Sequence, residues 1–198
     1  MLTKLKVKVQ AWMAVEARWA HGLGLTPNQV SAAGIILAFL SGFAYWQSSI
    51  NPLLLALAPV LLFASGFCDA LDGALARIYG KITPFGGFLD SLLDRYADAA
   101  VFFGIILGGL CDFSWGLIAL VGSLLVSYAR ARAEAAGVKM ETVGLAERAD
   151  RLIILVIASF LNLFWFMALY WSVILLAVLT NLTVLQRAYH FHKVSRKN

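Results

Sequence analysis

In Leu53-Leu-Leu-Ala-Leu-Ala-Pro-Val-Leu-Leu-Phe-Ala-Ser-Gly-Phe-Cys68-Asp69-Ala-Leu-Asp72-Gly73-Ala-Leu-Ala76-Arg77, an apolar run ends in carboxylates. Eight residues later comes Gly86-Gly-Phe-Leu-Asp90-Ser-Leu-Leu-Asp94. The surroundings are apolar enough to lie in a membrane, where a carboxylate is costly unless it has a cation or a cavity. Four of them together mark a functional site. Asp69 and Asp72 stand three apart, and Asp90 and Asp94 four apart, so each pair shares one helix face. The short turn between the two helices predicts antiparallel neighbours whose carboxylates converge in one pocket.

Working outward, the chain of 198 residues is 61% hydrophobic and only 14% charged. A soluble domain of this length carries more charge, and the long apolar runs do not alternate as barrel strands do. The expected fold is all-α: one polytopic membrane domain spanning residues 1–198, with a six-helix bundle at 27–192. The spans are placed at about 27–48, 52–79, 85–108, 113–136, 147–167 and 170–192. The net charge of +5 could suggest nucleic acid, but its distribution argues otherwise. All sixteen Lys and Arg residues fall on one side of the six-span arrangement. The opposite connections, around Asn51-Pro52, Asp112 and 163–170, hold none. That asymmetry places both termini and the aspartates at the cytoplasmic face, with anionic lipid headgroups as the partner of most basic residues.

Residues 2–21 read as an interfacial helix, with Leu2, Leu5, Val9, Trp12 and Trp19 at helical spacing beside Lys4, Lys8 and Arg18. No uninterrupted apolar core suggests a cleavable signal peptide there. Thr26 and Pro27 suit the N-cap and first position of the next helix. Gly104 and Gly108 allow close packing, either within the protomer or at a dimer seam. Cys68 and Cys111 fall near opposite faces, so neither a disulfide nor a zinc site is expected. His21, His190 and His192 read as interfacial or solvated.

Four close carboxylates repel strongly unless a divalent cation joins them. All-oxygen ligation suits Mg²⁺, Mn²⁺ or Ca²⁺, and two ions sharing four aspartates keep positions open for a pyrophosphate. Gly73, Ala76 and Gly86 leave room for a ligand against the helices, and Arg77 supplies a fork for phosphate. The complete pattern, D-x2-D-G-x2-A-R-x8-G-x3-D-x3-D, fixes eight residues over twenty-six positions. With it the chain resembles the CDP-alcohol phosphatidyltransferase family. The resemblance implies a six-span enzyme, often a homodimer, using two divalent metals (Mg²⁺ or Mn²⁺). In the implied reaction an acceptor hydroxyl attacks the β-phosphate of a CDP-linked lipid and CMP leaves. It further implies Asp69, Asp72 and Asp90 as metal ligands, with Asp94 completing the site and serving as general base. Gly73, Arg77, Thr83, Asn28 and Ser31 would contact the CDP-lipid. Close relatives often carry Asp and Thr where this chain has Asn28 and Ser31.

Three arginines from three spans, Arg130, Arg151 and Arg187, lie at inner helix ends and suit a phosphate on the acceptor. Ser127-Tyr-Ala-Arg130-Ala-Arg132-Ala-Glu134 and Glu147-Arg148-Ala-Asp150-Arg151 resemble the phosphatidylinositol-phosphate synthase branch and its archaetidylinositol-phosphate counterpart. That branch implies inositol 1-phosphate held by Ser127, Arg130, Arg151 and Arg187. Arg132 and Arg148 read as structural, with Glu147 or Asp150 the expected partner of Arg148. Glycerol 3-phosphate, giving a phosphatidylglycerophosphate synthase, is the neighbouring alternative. An intramembrane prenyltransferase would use different Asp spacings. A divalent-cation carrier would place carboxylates near the bilayer midplane.

Overall fold

A computed structural model describes residues 13–140 and 143–196. Its elements are α1 (Pro27–Gln47), α2 (Pro52–Ile78), α3 (Pro84–Leu107), α4 (Phe113–Ala135), α5 (Arg148–Asn162) and α6 (Ala168–Ser195). Residues 13–22 form a further helical segment, and no strand occurs among the described residues. Proline opens α1, α2 and α3 at positions where its missing N–H costs nothing. Side chains of Thr26, Asn51, Thr83 and Asp112 cap the first four helices. Thr26 and Gln29 form a reciprocal capping box.

The protein is a polytopic all-α membrane protein. Four helices, α1, α2, α4 and α6, are long and apolar enough to cross a bilayer. Six spans were expected, and α3 and α5 fall outside this length-and-composition set. α3 carries Asp90, Asp94, Arg95 and Asp98, and α5 has only 15 residues. α5 stops at Asn162 rather than near 167, where the Asn162 carboxamide oxygen accepts from Leu169 N–H at 3.1 Å and turns the chain into α6. α6 runs on to Ser195, past the expected end at 192.

The packing corrects one expectation. α1 packs extensively against both α2 and α3, whereas α2 and α3 barely touch each other. Glycine explains the tight side. A Cβ on Gly104 would sit 2.0 Å from Gly42 O, and one on Gly108 would sit 2.3 Å from Tyr45 O. The Gly104/Gly108 pair thus packs α3 against α1 within the protomer. On the other side, α2 and α3 stay apart and leave a gap at their polar ends. Replacing Gly104 with valine is expected to lower stability by about 3 kcal/mol or more, because backbone must move to admit the side chain. Thermal unfolding in detergent measures it.

The central core joins Tyr45, Phe102, Ile105, Leu169 and Leu176, with Tyr45 Oη and Ser159 Oγ hydrogen bonded at 2.6 Å. α4 packs on α6, and α5 on α2 and α6. Met13, Ala17 and Ala20 bury against Val30, Ala74 and Leu75, while Trp19 stays 73% exposed. The remainder of the expected interfacial helix, residues 2–12, lies outside the described residues. His21 stacks on Tyr79 with ring centroids 3.7 Å apart. Both cysteines are free.

Candidate active site

The connection from α2 to α3 builds the entrance. Gly80 adopts φ +63°, a conformation that favours glycine, and Lys81 N–H closes the helix end onto Ala76 O at 2.9 Å. Thr83 then caps α3 by accepting from Gly86 N–H at 3.0 Å. A Cβ at Gly86 would fall 2.9 Å from Thr83 Oγ1 and 4.0 Å from Asn28 Oδ1. These three residues therefore meet at one rim.

Carboxylate oxygens of Asp69, Asp72 and Asp90 lie within 4.8 Å of one another across the gap between α2 and α3. Ser31 on α1 donates to Asp72 Oδ2 at 2.5 Å. Asp94, one turn beyond Asp90, stands outside that triad and is held by two arginines. Its Oδ1 lies 2.8 Å from Arg148 Nη1, and its Oδ2 lies 3.3 Å from Arg95 Nη1.

Two clefts flank this acidic centre. The first, about 340 Å³, is lined by Asn28, Ser31, Asp72, Gly73, Arg77 and Thr83, with Lys81 and Asp90 beside them. The Arg77 guanidinium lies over Gly73, where a Cβ would be 3.3 Å from Nη1. All five residues expected at a CDP-lipid thus share one cavity. The second cleft, about 200 Å³, is lined by Asp94, Ser127, Arg130, Arg148, Arg151 and Arg187, among others. All four residues expected at an acceptor phosphate share it. Their surroundings differ. Arg130 is exposed and pairs with Glu134 at 2.9 Å. Arg151 is 3% exposed and is bound to Asp98 at 2.8 Å. Arg187, equally buried, donates from Nε to Val143 O at 2.9 Å and from Nη1 to Val126 O at 2.5 Å.

Arg148 is where sequence reasoning went astray. Glu147 and Asp150 spend themselves on the N-terminus of α5, where Glu147 N–H donates to Asp150 Oδ2 at 3.0 Å. Arg148 instead reaches into the acidic centre, 2.7 Å from Asp69 Oδ2 and 2.8 Å from Asp94 Oδ1, with Nε 3.4 Å from Asp98 Oδ1. Asp98, which had no assigned role, ties Arg148 to Arg151. A signal existed: Asp94 and Asp98 are one turn apart, as are Arg148 and Arg151, so two charged faces of matching pitch could have been paired.

The donor set fits a hard divalent cation. It offers only carboxylate oxygens, converging from two helices, with no sulfur or imidazole. Together the fold and this centre define an integral membrane protein with a carboxylate site between two polar clefts at one end of its helices.

The CDP-alcohol phosphatidyltransferase family model matches residues 24–185. An archaetidylinositol phosphate synthase of Pyrococcus horikoshii is 42% identical over 194 residues, covering 98% of this chain and 97% of that protein. One from Methanothermobacter thermautotrophicus is 42% identical over 171 residues, covering 85% of this chain and 84% of its own. Among solved structures, the phosphatidylinositol phosphate synthase of Mycobacterium tuberculosis with CDP-DAG bound superposes with a TM-score of 0.78 at 32% identity. That match covers 90% of this chain and 92% of that one. The same enzyme has been solved in complex with manganese and citrate, again with a TM-score of 0.78 and 32% identity over 90% of this chain and 88% of that one. The chain belongs to the CDP-alcohol phosphatidyltransferase family, and it is a transferase.

Proposed function

We propose that this protein makes a phosphoinositol lipid, transferring the lipid phosphoryl group of a CDP-linked lipid (CDP-diacylglycerol or CDP-archaeol) to inositol 1-phosphate with release of CMP. The observation that carries the reading is the position of Asp94. It lines both the acidic centre and the arginine-rich cleft, where a donor phosphate and an acceptor hydroxyl would meet. The names of the relatives support the same donor and acceptor classes.

In this reading Asn28, Ser31, Gly73, Arg77 and Thr83 hold the CDP end of the donor. Arg77 supplies paired N–H donors to phosphate. Asp69, Asp72 and Asp90, with Asp94, hold two divalent ions, Mg²⁺ or Mn²⁺. When bound, such ions offset the charge of the pyrophosphate and ease the departure of CMP. Ser127, Arg130, Arg151 and Arg187 fix the acceptor phosphate, which orients the attacking hydroxyl. Asp94 takes the hydroxyl proton as the new oxygen–phosphorus bond forms at the β-phosphate. The bond to the CMP oxygen breaks, and CMP leaves with the electron pair. The gathering of basic residues on this side supports an active site and termini that face the cytoplasm, in the six-span arrangement read from the sequence. The working unit is a homodimer.

The deciding experiment measures CMP release by purified protein with inositol 1-phosphate, free inositol, glycerol 3-phosphate or serine. Turnover with inositol 1-phosphate alone is the expected result. Preference for glycerol 3-phosphate would overturn the acceptor assignment. Removal of divalent cations by EDTA is expected to abolish CMP release, and added Mg²⁺ or Mn²⁺ to restore it. Full activity in EDTA would contradict the metal reading.

A further inference from the structure

We propose that Arg148 is a built-in competitor of the metal ion. Its guanidinium holds Asp69 and Asp94 in a cation's stead, so metal loads against it. This rests on the reading of the acidic centre as a metal site.

Among the contacts described, Arg148 joins the acidic groups of α2 to those of α3. One nitrogen, Nη1, reaches Asp69 Oδ2 at 2.7 Å and Asp94 Oδ1 at 2.8 Å. No other ion pair among the described residues links those two helices. Arg95 reaches Asp94 alone, and Arg151 is committed to Asp98 and to Ala146 O. The Arg148 side chain is 19% exposed, so its attraction to these carboxylates is poorly screened by water.

A guanidinium does not lose its proton in a protein. It cannot vacate the site by titration and can only move or stay. If it stays, a divalent ion on Asp69 sits beside a fixed positive charge and shares its ligands. If it moves, the bridge from Asp69 to Asp94 is lost. Either way metal binding is weakened by the presence of Arg148, and by linkage metal weakens Arg148's hold equally.

The surroundings give Arg148 somewhere to go. Its Nε already lies 3.4 Å from Asp98, and the side chain lines the arginine-rich cleft on its other side. A guanidinium released from Asp69 and Asp94 remains within a polar wall. Residues at the start of α5 thus sense whether the acidic centre is charged or neutralised.

The test is a Mn²⁺ titration of the purified, substrate-free protein, by calorimetry or by the spin resonance of free Mn²⁺. Wild type is compared with Arg148→Gln and Arg148→Lys. The Gln variant is expected to bind Mn²⁺ about tenfold or more tightly. It is also expected to melt below wild type without metal, with the gap narrowing at saturating Mn²⁺. The Lys variant, whose ammonium is a compact charge on a different stem, should fall between them. Equal affinities, or weaker binding by the Gln variant, would overturn the proposal while leaving the metal site in place. No Mn²⁺ binding by wild type would overturn both. Should the Gln variant not fold, the Lys variant decides alone: unchanged or weaker affinity sinks the idea.

Discussion

Asp94→Asn is expected to cut the rate of CMP release by roughly 10²–10⁴-fold, the usual worth of a positioned base. CDP-lipid binding should persist. The substitution keeps the shape of the side chain and removes its capacity to take a proton at neutral pH. Asp94 stands outside the triad of Asp69, Asp72 and Asp90, so the principal carboxylate cluster survives. It also faces the arginine-rich cleft, which the triad residues do not line. Single-turnover CMP release, paired with a direct measurement of CDP-lipid binding, separates chemistry from affinity. Near-wild-type turnover would remove the base assignment.

Arg187→Ala is expected to raise the KM for inositol 1-phosphate about a hundredfold, at the upper end of what a charged hydrogen bond contributes. The KM for the CDP-lipid should change little. The Arg187 side chain lies beside Arg130 and Arg151 in one cleft. Its Nε and Nη1 bonds to Val143 O and Val126 O fix its plane, which spares the entropy of ordering it when the acceptor arrives. Equal rises in both KM values, in a variant that melts like wild type, would refute the acceptor pocket; equal rises with a lowered melting point would report a general collapse. A melting curve of the variant distinguishes that collapse directly, because the same bonds tie the loop before α5 to α4 and α6.

Much of this molecule could be read from its residues. Helix starts were legible because proline follows a capping side chain at Thr26, Asn51 and Thr83. The acidic centre was legible because period and spacing put Asp69, Asp72 and Asp90 on facing sides of consecutive helices. Relations between distant helices were less so. Sequence spacing fixes which face a residue occupies but not which helix fills the space beside it. So α2 and α3 read as packed neighbours, when both lean on α1 and the glycines at 42, 104 and 108 decide how close α3 comes. The same gap in reasoning assigned Arg148 to Glu147 or Asp150, its nearest acids along the chain. Those two were already bound to the backbone of their own helix. Ser127, Arg130, Arg151 and Arg187 do share one cleft, because helix ends on one side of a bundle can be gathered without knowing the packing order.

The brevity of α5 has a consequence for the lipid around it. Fifteen residues rise only roughly 22 Å, against a hydrocarbon thickness of roughly 30 Å. Phe164, Trp165 and Phe166, which follow it, are 91%, 55% and 80% exposed. Trp anchors at the water boundary, so a bilayer that α5 crosses, as the proposed six-span arrangement requires, must pinch inward on this flank. Such hydrophobic mismatch costs fractions of a kcal/mol for each ångström. Thin, short-chained bilayers should therefore suit this protein better than thick ones.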